Sequence, residues 1–348
     1  MHMADALLAP AVAATMYVAS GAVAGVSIHK LRKDDEPQKL PTMAVTAALV
    51  FAGQMINYTI PGTGSSGHMC GGMLLSALLG PQAGFLSMIV ILAVQCLFFA
   101  DGGLMALGAN IWNMAFYGCF VGYYLIWRPI MGSSWFGGDT KAAQRLRIIA
   151  ASVIGCVVTL QLGAFSVVLE TTLSGITELP FAAFVALMQP IHLAIGLIEG
   201  AVTAAVLVFV YESRPVLLRD VNAVSGKAHS LKATLAVLAV VVVIVGGGLS
   251  LVASSNPDGL EWALFGNEEA QVENMHLDEE HFGVKSKAAD TAASIQDSTS
   301  FLPDYAFPES DSPAGTTVSG LVGSAIVAAL AVLVALVFGF FRRKKKEA

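Results

Sequence analysis

The chain has 348 residues, of which 55% are hydrophobic and only 13% charged, with a mean hydropathy of +0.70; a soluble domain carries about 25% charged residues. Several apolar runs approach or exceed the roughly 20 residues that cross a bilayer core. The composition therefore excludes an ordinary soluble enzyme and indicates an all-α polytopic membrane protein in contact with lipid, with no nucleic-acid partner expected. The formal net charge of −6 says little alone, because the charges are segregated along the chain.

Nine apolar segments are predicted in order: 8–28, 43–60, 67–80, 83–100, 105–127, 147–169, 180–211, 232–253 and 318–341. The third is short for a span. It reads as a helix buried by its neighbours and entered through a re-entrant loop, which a membrane tolerates only under protein cover. Lys and Arg set the orientation. With the N-terminus outside, the inside loops hold Lys30, Arg32, Lys33 and Lys39, then Arg128, Lys141, Arg145 and Arg147, then Arg214, Arg219, Lys227 and Lys232. The inside tail holds Arg342, Arg343, Lys344, Lys345 and Lys346, so 17 of the 19 basic residues lie on one side. The expected organisation is a seven-segment helical bundle over 1–222 and a two-helix hairpin over 223–348 around a long extracytoplasmic loop, 254–317. That loop holds thirteen acids against Lys285 and Lys287; its charge of −11 would concentrate cations. It is expected to pack over the N-terminus.

The N-terminus, Met1-His2-Met3, carries the most specific chemistry. No basic residue precedes the first apolar run, so it does not read as a signal peptide, and it is expected to stay uncleaved. The Met1 amine, the His2 amide nitrogen and His2 Nδ1 can close a five- and a six-membered chelate around one ion. Three nitrogens in a plane leave one corner open. Square-planar nitrogen coordination suits Ni(II) or Cu(II), whereas Zn(II) prefers a tetrahedron. His68, after the glycine-rich loop 61–67, is placed on the same outer side at the start of the third segment, and it could fill the corner. Gly67, Gly71, Gly72, Ser76 and Gly80 give small residues at spacings of four, which lets helices approach closely. Asn57, Gln95, Asp101 and Asn110 lie near the same level. Asn57 and Asn110 are the favoured residues for orienting the imidazoles. The competing reading makes His2 and His68 bystanders in a metal-independent membrane interaction protein.

His192 and Glu199 lie inside the seventh segment. Ionisable residues there are functional candidates, but seven positions put them about 10 Å apart along a helix. They are read as partners of another helix or as coupling groups, and not as metal ligands. The four cysteines fall in apolar runs and read as packed thiols. The thirteen methionines are scattered and read the same way. Gly64-Ser65-Ser66-Gly67 fits the loose pattern of an intramembrane serine protease, with His192 as a conceivable base. The Gly-x-x-x-x-Gly-Lys-Ser/Thr phosphate loop does not occur, so any ATPase must be a separate chain.

Met1-His2-Met3-Ala4-Asp5-Ala6-Leu7-Leu8 together with Gly67-His68-Met69-Cys70-Gly71-Gly72 resembles the substrate-binding membrane component of nickel and cobalt energy-coupling factor transporters, the CbiM/NikM family. Pro190, His192, Glu199 and Gly200 extend the resemblance, which covers about 1–215. Pro257-Asp258-Gly259-Leu260-Glu261-Trp262 resembles the small two-span companion known by that motif, here fused to the first part. The resemblance implies a metal site of the Met1 amine, the His2 amide and imidazole, and His68, with Ni(II) or Co(II) as transported substrate. It implies no organic cofactor, no catalytic residue and a multi-pass protein of a prokaryotic cell membrane. Separate ATPase subunits and a transmembrane coupling protein are the implied partners. Many members have Ile where this chain has Met3.

Overall fold

The computed structural model describes residues 1–32, 39–176, 178–221, 229–275, 277, 282–308, 310 and 312–347. The boundary expected at 222–223, with Lys33 and Lys227, lies outside them. The helices are α1 Pro10–Leu31, α2 Lys39–Gln54, α3 Gly72–Leu79 and α4 Pro81–Phe99. Then α5 runs without a break through Leu107–Asn110, Ile111–Trp127 and Arg128–Met131, with wider π-type hydrogen bonding over its middle part. Next come α6 Lys141–Leu173, α7 Phe181–Ser213 and α8 Leu231–Gly247. Two short helices, α9 Gly259–Phe265 and α10 Lys287–Thr299, precede α11 Ala314–Glu347.

Among the described residues five helices are long and apolar enough to cross a membrane: α1, α4, α6, α7 and the 314–334 part of α11. Two apolar helices, 40–54 and α8, are shorter. Their outer faces present apolar side chains such as Val18, Leu197 and Leu333, as lipid contact requires.

The centre of the bundle is α3, all of whose eight residues are buried. Its brevity follows from its ends. Gly71 adopts φ 82° before it and Gly80 φ 82° after it, conformations in which glycine has no steric cost, and Pro81 then starts α4. Close approach is also needed: a Cβ on Gly118 would lie 2.8 Å from the Gly72 Cα. The long pair α6 and α7 packs the same way, with Gly196 and Gly200 against the Val157 and Val153 backbones. In the companion, Gly246 of α8 meets Gly320 of α11.

Two sequence expectations change here. The second segment does not run to 60. Its helix ends at Gln54, and Tyr58–Ile60 pairs antiparallel with Ser65–Gly67. Gly67 is therefore a strand residue, and the third helix starts at Gly72, so His68 stands in the linker before the helix instead of opening it. Apolar composition alone cannot tell a short buried strand from a helix end. The long companion loop is also structured, containing α9 and α10.

That loop lies over the N-terminal face through main-chain hydrogen bonds. Ser66 N–H donates to the Pro257 carbonyl (2.8 Å), Ser254 N–H to Asn57 (2.7 Å) and Val284 N–H to Ala6 (2.8 Å). Trp262 Nε1 donates to the Thr63 carbonyl (2.9 Å) and Gln296 Nε2 to the Gly102 carbonyl (2.7 Å).

Candidate metal centre

The first eight residues thread between the bundle and the companion loop. Met1 is 4% and Met3 0% exposed. Met3 is clamped by its backbone: its N–H donates to Asn110 Oδ1 (2.8 Å), and its carbonyl accepts from Asn110 Nδ2 (3.2 Å) and Gly103 N–H (2.9 Å). Asp5 then accepts from Ala106 N–H (2.9 Å). Space for this thread depends on glycine at 103, where a Cβ would lie 1.8 Å from Asp5 Oδ1.

This clamp presents residues 1 and 2 to one point. The Met1 ammonium donates to Asp258 Oδ2 at 3.0 Å. His68 Nε2 is 3.7 Å from the same oxygen. The His2 and His68 rings stack, with centroids 5.2 Å apart and planes 22° from parallel. His68 Nδ1–H donates to its neighbour's carbonyl, Met69 O (3.1 Å). His2 Nδ1 faces Asp101 Oδ1 (3.2 Å), and Nε2 lies 3.3 Å from Gln95 Oε1. Tyr305 from the companion donates to the other Asp101 oxygen (2.5 Å).

Asp258 reaches the amine because it caps α9. Its Oδ1 accepts from Leu260 N–H (2.7 Å) and Glu261 N–H (3.0 Å), and Glu261 Oε2 accepts from Asp258 N–H (3.2 Å), a reciprocal capping box. That leaves Oδ2 for the amine. Electrostatics follow from this packing. Burial works most strongly against the charged Met1 amine, but Asp258, Cys70 and Asp101 together outweigh it and hold the amine above its ordinary 8.0. Asp258 is likewise buried, yet the amine and His68 hold it well below the usual carboxylate range. Burial pushes His2 down to about 4 against the pull of Asp101, so its ring is neutral and one of its two ring nitrogens keeps a lone pair. The Asp258 charge, then burial, raises Glu261 to about 7.

Met1, His2 and His68 are thus brought together. Asn110 hydrogen-bonds the Met3 backbone and the Asn57 carbonyl accepts from Ser254 N–H; among the described residues neither hydrogen-bonds an imidazole. The residues facing His2 are Asp101 and Gln95. Among the described residues no three His, Cys, Asp or Glu side chains gather as a metal cluster; the nitrogen set at this point draws on the amine and a backbone amide as well as on imidazoles. Asp258 was missed, although an Asp followed three residues later by Glu is a helix-start signature. Glu199, inside α7, accepts Cys70 N–H (2.7 Å) and Gly71 N–H (2.8 Å) and so fixes the linker that carries His68. Ser66 Oγ donates to the Asn256 carbonyl (2.8 Å) and His192 Nδ1 to Met188 O (2.8 Å), so the two do not form a nucleophile–base pair.

This is a helical membrane bundle whose N-terminal amine is buried beside two imidazoles. Residues 2–217 match the cobalt uptake substrate-specific transmembrane region, CbiM, and the chain belongs to that family; residues 232–339 match the PDGLE domain. The chain is 35% identical, over 95% of its length and 96% of the other's, to a provisionally named fused nickel transport protein NikMN of Archaeoglobus fulgidus. It is 29% identical to the fused nickel transport protein NikMN of Rhodobacter capsulatus, over 94% and 95% of the two chains. Similarity to the cobalt transport protein CbiM of Sorangium cellulosum is 29% over 63% of this chain and 94% of that one. A crystal structure described as a transition metal transporter superposes with a TM-score of 0.53 at 29% identity, covering 62% of this chain and 96% of the other.

Proposed function

We propose that this chain captures a divalent transition-metal ion, Ni(II) first and Co(II) next, at the outer face of the membrane for ATP-driven import. The Met1 amine, the His2 amide and Nδ1, and His68 Nε2 supply the nitrogens. The observation that carries this reading is the convergence of the amine and both imidazole rings at one buried point, from positions 66 residues apart in sequence. Residues 1–222 form the capturing unit and 223–348 a companion that covers it, with the N-terminus outside and the C-terminus cytoplasmic. ATP hydrolysis belongs to separate subunits, reached through a transmembrane coupling protein.

Capture has three local requirements. The amine must leave Asp258 and lose its proton, the His2 amide must lose its proton to bind through nitrogen, and the His2 ring must turn Nδ1 from Asp101 toward the amine. Metal binding therefore releases protons, as deprotonated ligands demand. His2→Ala removes the imidazole that closes the six-membered ring and leaves the amine and His68 in place. The expected result is loss of Ni(II) binding by the purified chain in equilibrium dialysis; unchanged affinity would sink the chelate. Ser66→Ala is expected to leave Ni(II) affinity unchanged.

A further inference from the structure

Residues 68–71, the linker between the strand pair and α3, are held from two helices at once. From α7, Glu199 accepts Cys70 N–H (2.7 Å) on one oxygen and Gly71 N–H (2.8 Å) on the other. Two successive N–H groups aimed at one anion form a nest, a shape that holds negative charge. From α2, Gln54 Nε2 donates to the Cys70 carbonyl (2.7 Å). Gly71, at φ 82°, lies against α2 as well: a Cβ there would be 2.4 Å from Val50 Cγ1.

Glu199 is 1% exposed on a helix long and apolar enough to cross a membrane. Among the described residues no cationic side chain pairs with it. An ionisable group in such a place is a functional candidate by default, and the nest shows what it acts on, which is the His68 linker. The consequence is geometric. On the capture reading, the amine, amide and imidazole of residues 1 and 2 share a plane through the closure of their own rings. His68 comes from another element, so its linker decides whether the fourth nitrogen meets that plane or leaves it.

We propose that Glu199 is a specificity-determining residue of this site: by clamping Cys70 and Gly71 to α7 it keeps His68 at the fourth planar corner and so favours Ni(II) over Zn(II). A planar nitrogen set suits Ni(II), whereas Zn(II) draws four ligands into a tetrahedron. A linker fixed to a membrane helix resists that pull, and a loose one yields to it. Glu199 is a positioning residue and touches no ion. The inference rests on the capture reading above and adds no ligand to it.

The test uses the full purified chain, with equilibrium dialysis against Ni(II) and Zn(II) and the nickel X-ray absorption edge as the signature of planar coordination. Glu199→Gln offers one acceptor oxygen to two N–H donors and so frees one of them. Ni(II) affinity is expected to fall about tenfold, with a smaller loss for Zn(II), so the preference narrows and the planar signature weakens. Glu199→Asp keeps the charge and both oxygens but draws them back by one methylene; a smaller shift in the same direction is expected, and this variant decides the matter if Glu199→Gln does not fold. Free imidazole is expected to restore the planar signature in Glu199→Gln as in His68→Ala, because both lose only the fourth corner. An unchanged Ni(II)-to-Zn(II) ratio in the folded variants overturns the proposal, even if both affinities fall, and so does a signature that imidazole restores in His68→Ala alone. If His68→Ala itself leaves Ni(II) affinity and the signature unchanged, it is the capture reading that fails.

Discussion

The bundle and the companion both hold the N-terminus, but by different means. The bundle grips Met3 through uncharged backbone hydrogen bonds to Asn110 and Gly103. The companion grips Met1 through one carboxylate, Asp258, on its ammonium. The first grip leaves every proposed ligand lone pair free. The second occupies the amine that the proposed chelate needs. One part of the molecule fixes where residues 1 and 2 stand, and on the capture proposal the other decides when the amine is available.

The contrast can be broken most severely on the bundle side. Gly103→Val would drive side-chain atoms into Asp5 and expel the thread; Ni(II) affinity is expected to fall about 100-fold, the upper range for loss of ligand support. Asn110→Ala removes two of the three hydrogen bonds that hold the Met3 backbone and leaves the one from Gly103. A loss of about tenfold is expected, with a lower melting temperature, since unpaired buried amide groups cost about 1–3 kcal/mol each. If Asn110→Ala binds Ni(II) as the unaltered chain does, the clamp does not place the ligands.

On the companion side the expected change is in pH dependence. The amine is raised above its ordinary 8.0, so its tie to Asp258 is present below that value and is lost as pH rises through the raised one. Asp258 is depressed, so the tie is present above 3.8 and is lost as pH falls through the lower value. Between those limits the ion competes with a proton on the amine, and affinity is expected to strengthen as pH rises. In Asp258→Asn the raising charge is gone and burial dominates, so the onset of Ni(II) binding moves to lower pH. A binding curve measured against pH that does not move would show that Asp258 does not govern the amine. The smallest effect belongs to Tyr305→Phe, which removes one hydrogen bond to Asp101; a change of about 1 kcal/mol, several-fold in affinity at most, is expected.

What could be read from the chain divides along the same line. The ligand candidates were legible because a chelate of amine, amide and imidazole is local chemistry, complete within two residues. The helical membrane character was legible from long apolar runs. Asn110 was named, but for the wrong contact, because spacing says nothing about which atom of a neighbour it meets. Asp258 contacts Met1 across 257 positions, a distance that no periodicity bridges. The strand pair escaped notice because its second strand is Ser65, Ser66 and Gly67, residues without strand preference, held by pairing to Tyr58–Ile60 and by Pro257 from the companion.

The companion loop is tethered at both ends to the part it covers, through α8 and α11, and Gly323 of α11 sits against Phe51 of α2. Docking is therefore a unimolecular event at an effective concentration on the order of millimolar. Each contact can be weak, and a displaced loop still returns without a search through the bilayer. One gene product also fixes the ratio of cover to site at one to one, so closure does not depend on how much protein the membrane holds.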